Sequence, residues 1–140
     1  GLGDVYKRQE EGERFQIAVV SFGFKHGIPA DVDLVFDVRF LPNPYYDLNL
    51  RPLTGNDKPI QDFVMKHEES VEFLDKLDDM MRFLIPNYIK EGKYRLVIAI
   101  GCTGGKHRSV TLANKLYERM KAEGHYGIKL YHRDVPREGI

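Results

Sequence analysis

Residues 94–120 read YRLVIAIGCTGGKHRSVTLANKLYERM, and their order decides the fold. Tyr94–Ile100 has the length and the apolar composition of a buried strand. Val110–Met120 sets Ala113, Leu116, Tyr117 and Met120 on one helical face. Between them lies Gly101-Cys-Thr-Gly-Gly-Lys-His-Arg-Ser109. A strand, a glycine-bearing loop and a helix in that order make an anion cradle. Glycine lets the backbone come close to a ligand, and free N–H groups at the helix start point at a negative charge that the helix dipole favours. Cys102, Thr103, Gly104 and Gly105 form the loop, and Lys106, His107 and Arg108 add donors suited to phosphate.

Outward from this segment, Phe15–Ser21 and Asp33–Val38 read as two earlier strands and Ile128–His132 as a last one. Helical spacing predicts a short helix over about Lys58–His67 and a longer one over about Ser70–Ile89, with Pro86 kinking or ending it. A third helix runs from the cradle to about Ala122 and stops at Gly124. Residues 39–59 carry prolines at 42, 44, 52 and 59 and read as an irregular loop, long enough to suggest function or packing. Strands separated by helical segments imply an α/β fold: a single domain with a mainly parallel, right-handed sheet and flanking helices. Residues 1–12 match no periodicity and read as a non-native or disordered leader, leaving 13–140 as the domain.

In such sheets ligands bind beyond the carboxyl ends of the strands. Here the first strand ends at Ser21, Lys25 and His26, the second at Asp37, Arg39 and Asn43, the third in the cradle, and the fourth at His132, Arg133 and Asp134. Their convergence predicts one polar pocket, with cations for an anion and Asp37 for a hydroxyl or an amine. A metal site from His26, His107 and His132 has no diagnostic spacing. His67 reads as a satisfied core residue and His125 as exposed. Phe22, Phe24, Tyr45 and Tyr46 could stack on bases or fill core.

The chain's 140 residues suffice for one real core, and its 42% hydrophobic content argues against disorder. The net charge is zero, which argues against indiscriminate nucleic-acid binding. The charge is unevenly spread: Asp57–Glu91 is acidic and Lys106–Ile140 basic, so the basic end coincides with the cradle. Cys102 is the sole cysteine, which excludes an internal disulfide and is compatible with a cytoplasmic location. No apolar run reaches the length of a membrane span.

The cradle also fits a catalytic pattern. Cys102 and Arg108 are spaced C-x5-R and followed by Ser109, as in cysteine-dependent phosphatases. There the loop lowers the thiol pKa, the thiolate attacks phosphorus, and the arginine clamps the equatorial oxygens. Asp37 or Asp134 would be the general acid. Gly101 replaces the histidine usual before the cysteine in many of those enzymes. The alternative is that Cys102 is a small buried residue at a strand end.

Four strings in order, SFGFKHGIP (21–29), FDVRFLPNP (36–44), LRPLTGNDKP (50–59) and IGCTGGKHRSV (100–110), resemble the C-terminal domain of RapZ/YvcJ proteins. The resemblance spans about residues 15–135. It implies a phosphofructokinase-type α/β subdomain without catalysis, a member of an oligomer, and a sensor of glucosamine-6-phosphate that binds small RNA for an endoribonuclease. It also implies that ATP or GTP belongs to an N-terminal P-loop domain; the sequence here contains no GxxxxGK[ST], and the domain itself needs no cofactor. The family's sugar-phosphate pocket carries over to Asp37, Cys102, Thr103, Gly104, His107 and Arg108. Two departures stand out. Tyr45 takes the place of a pocket histidine, and the C-terminus reads DVPREGI where the enterobacterial domain has a Lys/Arg-rich tail. With the resemblance, the basic C-terminal third makes Lys121, Lys129, Arg133 and Arg137 the candidate RNA contacts.

Overall fold

Each of the four expected strands forms, and all of them join one parallel sheet. The computed structural model describes residues 14–135. The strands are β1 (Gln16–Gly23), β2 (Leu34–Asp37), β3 (Arg95–Cys102) and β4 (Gly127–His132). The helices are α1 (Lys58–Met65), α2 (Glu68–Glu91) and α3 (Arg108–Glu123). The sheet order is β2-β3-β1-β4. β1 pairs with β3 from Gln16 opposite Arg95 to Gly23 opposite Cys102, so the ends of these two central strands are level. The leader and Arg137 lie outside the described residues.

The pattern of side chains explains the layering. Central β3 is buried from Leu96 to Cys102, as expected of a parallel strand between neighbours. Edge strands β2 and β4 alternate between half-buried and exposed positions. Ile17, Val19, Leu96, Ile98 and Ile100 join Leu74, Leu77, Met81 and Ile85 of α2 and Leu112, Ala113 and Leu116 of α3 in one core. Burial of such side chains contributes roughly 1.5–3 kcal/mol each.

Two expectations change. α2 continues through Pro86 to Glu91 and ends at Gly92, which adopts a left-handed conformation. Pro86 is exposed, and Ile85 beside it still packs inward. His67 is not a core residue on the α1 face. α1 ends at Met65, and half-buried His67 becomes the cap of α2, with its ring against Phe63. His125 is exposed. No helix among the described residues is long and apolar enough to cross a membrane.

Candidate functional site: a cationic cavity at the strand ends

The loop after β3 is held by its neighbours on both sides. Lys25 N donates to Thr103 O at 3.1 Å, and Val38 N donates to Gly101 O at 2.9 Å. Gly105 has φ +75°, a conformation that favours glycine. A Cβ on Gly105 would run into the Gly23 backbone, and one on Gly23 would run into Gly104. The end of β1 and the cradle therefore touch backbone to backbone.

The proline-bearing loop closes the other side. A short 3-10 turn, Pro44–Tyr46, is capped by Asn43, whose Oδ1 accepts from Tyr45 N at 3.1 Å. Further on, Gly55 N donates to Lys106 O at 2.9 Å, and Asn114 Nδ2 donates to Gly55 O at 3.0 Å. The loop thus covers the first turns of α3, and Arg108 through Ala113 are all buried.

His107 and Arg108 tie cradle to loop. His107, 5% exposed, donates from Nε2 to Leu53 O at 2.7 Å and to Arg51 O at 3.1 Å. Burial lowers its pKa and the two carbonyls act in the opposite direction, while the Lys106 and Arg108 charges lower it further; the net shift is downward and the ring is neutral at pH 7. Arg108, 4% exposed, donates from Nη1 to Arg39 O at 2.8 Å and to Leu41 O at 3.0 Å. Its Nε is buried without a hydrogen-bond partner. Among the described residues no carboxylate lies within ion-pair distance of this guanidinium; Asp37 acts on it only at longer range.

These elements enclose a cavity of about 320 Å³. The cradle supplies Cys102, Thr103, Gly104, Lys106, His107 and Arg108. The strand-end segments supply Lys25 and Asn43, and the rim Tyr45, Tyr46 and Arg51. The lining contains no carboxylate. A volume near the lower end of the ligand-pocket range, roughly 300–1,000 Å³, suits a small metabolite.

Several expected pocket residues lie off this lining. Asp37 is clasped by Arg39: Nε to Oδ1 at 2.9 Å, Nη2 to Oδ2 at 2.6 Å and the Arg39 amide to Oδ1 at 2.9 Å. The Arg39 hydrogen bonds outweigh partial burial and lower the Asp37 pKa. The Arg39 guanidinium also stacks 4.0 Å from the Phe24 ring centre. His26 and Gly105 are likewise off the lining. The end of β4 does not reach it either. Asp134, fully buried, accepts from Gly23 N at 2.7 Å and pairs with Arg133 at 2.9 Å. Burial raises the Asp134 pKa, but Arg133 and the Gly23 amide more than offset this, and the net shift is downward. Arg133 also donates to Gly27 O at 2.7 Å, so among the RNA candidates it is engaged internally, whereas Lys121 and Lys129 are exposed.

A second polar chain joins the end of β4 to β1 and α3. His132 Nε2 donates to Asn114 Oδ1 at 2.9 Å, leaving Nδ1 to accept from the buried Ser21 hydroxyl at 2.6 Å. Burial lowers the His132 pKa. No three His, Cys, Asp or Glu side chains among the described residues converge as metal ligands. Cys102, 2% exposed, has its Sγ 3.1 Å from Ser109 Oγ.

Sequence reasoning missed Arg51 and Tyr46 as lining residues. For Arg51 the available signal was the turn string LRPLTGNDKP, which docks on α3; Tyr46 lies in the preceding Pro44–Tyr46 turn.

The model of the RapZ C-terminal domain family matches residues 15–136. A nucleotide-binding protein of Agathobacter rectalis is 59% identical over 139 residues, covering 99% of this chain and 48% of that protein. One of Clostridium novyi is 61% identical over 132 residues, covering 94% and 45%. A third, of a Thermoanaerobacter species, is 59% identical over 137 residues, covering 98% and 48%. The chain spans about half the length of the curated relatives that it matches.

Proposed function

From the premise that this chain belongs to the RapZ C-terminal domain family, we propose a non-enzymatic regulatory domain whose cavity holds the phosphate of a small sugar-phosphate metabolite. The observation that carries this reading is Arg108: a guanidinium buried on the cavity wall, without a carboxylate partner among the described residues and with an unused Nε donor. A buried charge is costly unless paired, and a phosphate entering over the start of α3 would supply the pairing. Thr103 and Gly104 would offer backbone N–H groups, and Lys106 would add charge. Neutral His107 holds the rim loop in place. The amine of an amino sugar would meet no carboxylate on the lining, because Arg39 occupies Asp37. The reading therefore commits to the phosphate end of the ligand. Calorimetric titration with glucose 6-phosphate tests it: saturable binding is expected, weakened in Arg108→Ala, and equal affinity of parent and variant would remove Arg108 from the site.

A second reading has one observation behind it. The Cys102–Ser109 contact on a loop that enters a helix at Arg108 is the arrangement a cysteine phosphatase uses. Against it, Arg108 donates to the carbonyls of Arg39 and Leu41, on the loop following β2, and the thiol is buried. Turnover of p-nitrophenyl phosphate separates the two.

The proposal extends to small RNA as a partner and to an adapter role toward an endoribonuclease, supported by family membership and the basic C-terminal third. Backbone contacts would make such binding salt-dependent. A low-salt mobility shift with a stem-loop RNA, weakened by Lys121→Glu and Lys129→Glu, is the expected result. Nucleotide binding, the property in the relatives' names, is assigned by the same proposal to the half of those proteins that lies beyond this match. Assembly of several copies belongs to it as well, and light scattering tests that.

A further inference from the structure

The cavity carries more positive charge than one phosphate neutralises. Lys25, Arg51, Lys106 and Arg108 line it, His107 is neutral, and no carboxylate is present on the lining. Among the described residues no carboxylate lies within ion-pair distance of Arg51, Lys106 or Arg108. The nearby Asp37 is already neutralised by Arg39. Counting only Arg51, Lys106 and Arg108, a phosphate monoester brings about −1.5 to −2 at pH 7 against three positive charges, which leaves roughly one uncompensated in a small space. Like charges there repel more strongly than in open water, so the arrangement favours a ligand that brings further negative charge.

Arg51 has the geometry of a second anion contact. Its guanidinium lies 4.2 Å from the Tyr45 ring centre, and its Nε donates to Tyr45 O at 2.8 Å. The stack and this one bond fix the guanidinium plane, and its terminal nitrogens have no protein acceptor among the described residues. A fixed fork with two free donors suits bidentate recognition of a planar or tetrahedral anion. Arg51 belongs to the rim loop and Arg108 to the start of α3, so the two cations approach the cavity from different elements.

We propose that the ligand of this cavity carries two anionic groups, one held by the cradle with Arg108 and Lys106, the other by the rim at Arg51. A small sugar bisphosphate, or a phosphorylated metabolite with a second acidic group, has this chemistry. The proposal rests on the phosphate reading above and narrows it.

The test is a pair of calorimetric titrations at physiological ionic strength, with glucose 6-phosphate and glucose 1,6-bisphosphate as probes differing only in the second phosphate. The bisphosphate is expected to bind at least tenfold more tightly. Arg51→Gln, which keeps a hydrogen-bond donor but removes the charge, should narrow the ratio to threefold or less, and Arg51→Lys should retain more of it. Circular dichroism verifies that each variant is folded. Equal affinity of the unmutated protein for both probes would overturn the two-anion proposal and leave the phosphate reading intact. Absence of binding by either probe would overturn both. A tenfold ratio that survives Arg51→Gln would overturn the assignment of the second group to the rim.

Discussion

The two edges of the sheet differ in how they treat polar groups. At the edge where the strands end, Ser21, His107, Arg108, Ser109, Thr111 and Asp134 are all buried. At the edge where they begin, the corresponding polar contact is a half-exposed ion pair, Lys93 to Asp33 at 2.7 Å, whose other carboxylate oxygen accepts from Val97 N at 2.7 Å. The beginning edge needs only to fix the register of β2 on β3. The ending edge holds one buried cation, Arg108, and two histidines whose pKa values burial lowers. Most of these groups are paired within the protein, whereas Arg108 keeps an Nε without a hydrogen-bond partner, and that is the observation behind the proposed ligand site.

The comparison breaks most readily at its glycines. Gly23→Ala forces a Cβ into the Gly104 backbone and should cost about 3 kcal/mol or more in urea unfolding. Gly92→Ala, at the other edge, meets only open space; its φ of +101° limits the expected cost to about 1–2 kcal/mol. Equal costs would mean that the cradle does not depend on the backbone contact.

Arg108→Ala should weaken glucose 6-phosphate binding by about 1.5–3 kcal/mol, the range for a charged hydrogen bond. Lys93→Ala, remote from the cavity, should leave that affinity unchanged. Calorimetry reads both.

The edges should also answer to pH in different ranges. His107 and His132 have folded pKa values below the ordinary 6.5, so the unfolded chain binds protons first. Their stabilising contribution is present above pH 6.5 and falls as pH drops below it. At the beginning edge, burial raises the Asp33 pKa, but Lys93 and the Val97 amide lower it on balance, so its contribution is present above 3.8 and falls only below that value. Urea midpoints measured from pH 7.5 to 5 should therefore decline through the cavity edge, and His132→Asn should flatten the decline while Asp33→Asn should not.

The smallest effect is expected at Cys102. Cys102→Ser keeps the contact with Ser109 and should retain most of the phosphate affinity, and neither form should turn over p-nitrophenyl phosphate. A cysteine-dependent burst lost in the serine variant would favour the phosphatase reading.

The sheet was legible because its strands are short apolar runs bounded by turns, and β3 with the cradle was legible as a unit. Bounds moved by a residue or two: β1 and β3 run on through Gly23 and Cys102, because parallel pairing carries both to a level end. Of the two expectations for Pro86, ending the helix is excluded, because α2 runs on to Glu91. The cradle half of the cavity was readable from spacing. Of the rim, Tyr45 was readable through the resemblance and Arg51 was not, since Arg51 is held there by the contacts of His107 with its carbonyl and of Gly55 with Lys106, between distant parts of the chain. Asp37 and Arg133 look like ligand groups in a linear reading. Their engagement by Arg39 and Asp134 depends on side-chain partners that spacing does not reveal.

The central claim is that a phosphate binds at the ending edge, over the start of α3. Backbone amide chemical shifts followed during titration with glucose 6-phosphate test it most directly. The account predicts saturable shifts at Thr103–Arg108, with the amides of Gly92–Arg95 at the beginning edge unmoved. Shifts centred on Gly92–Arg95, or no saturable shift at Thr103–Arg108, would contradict it.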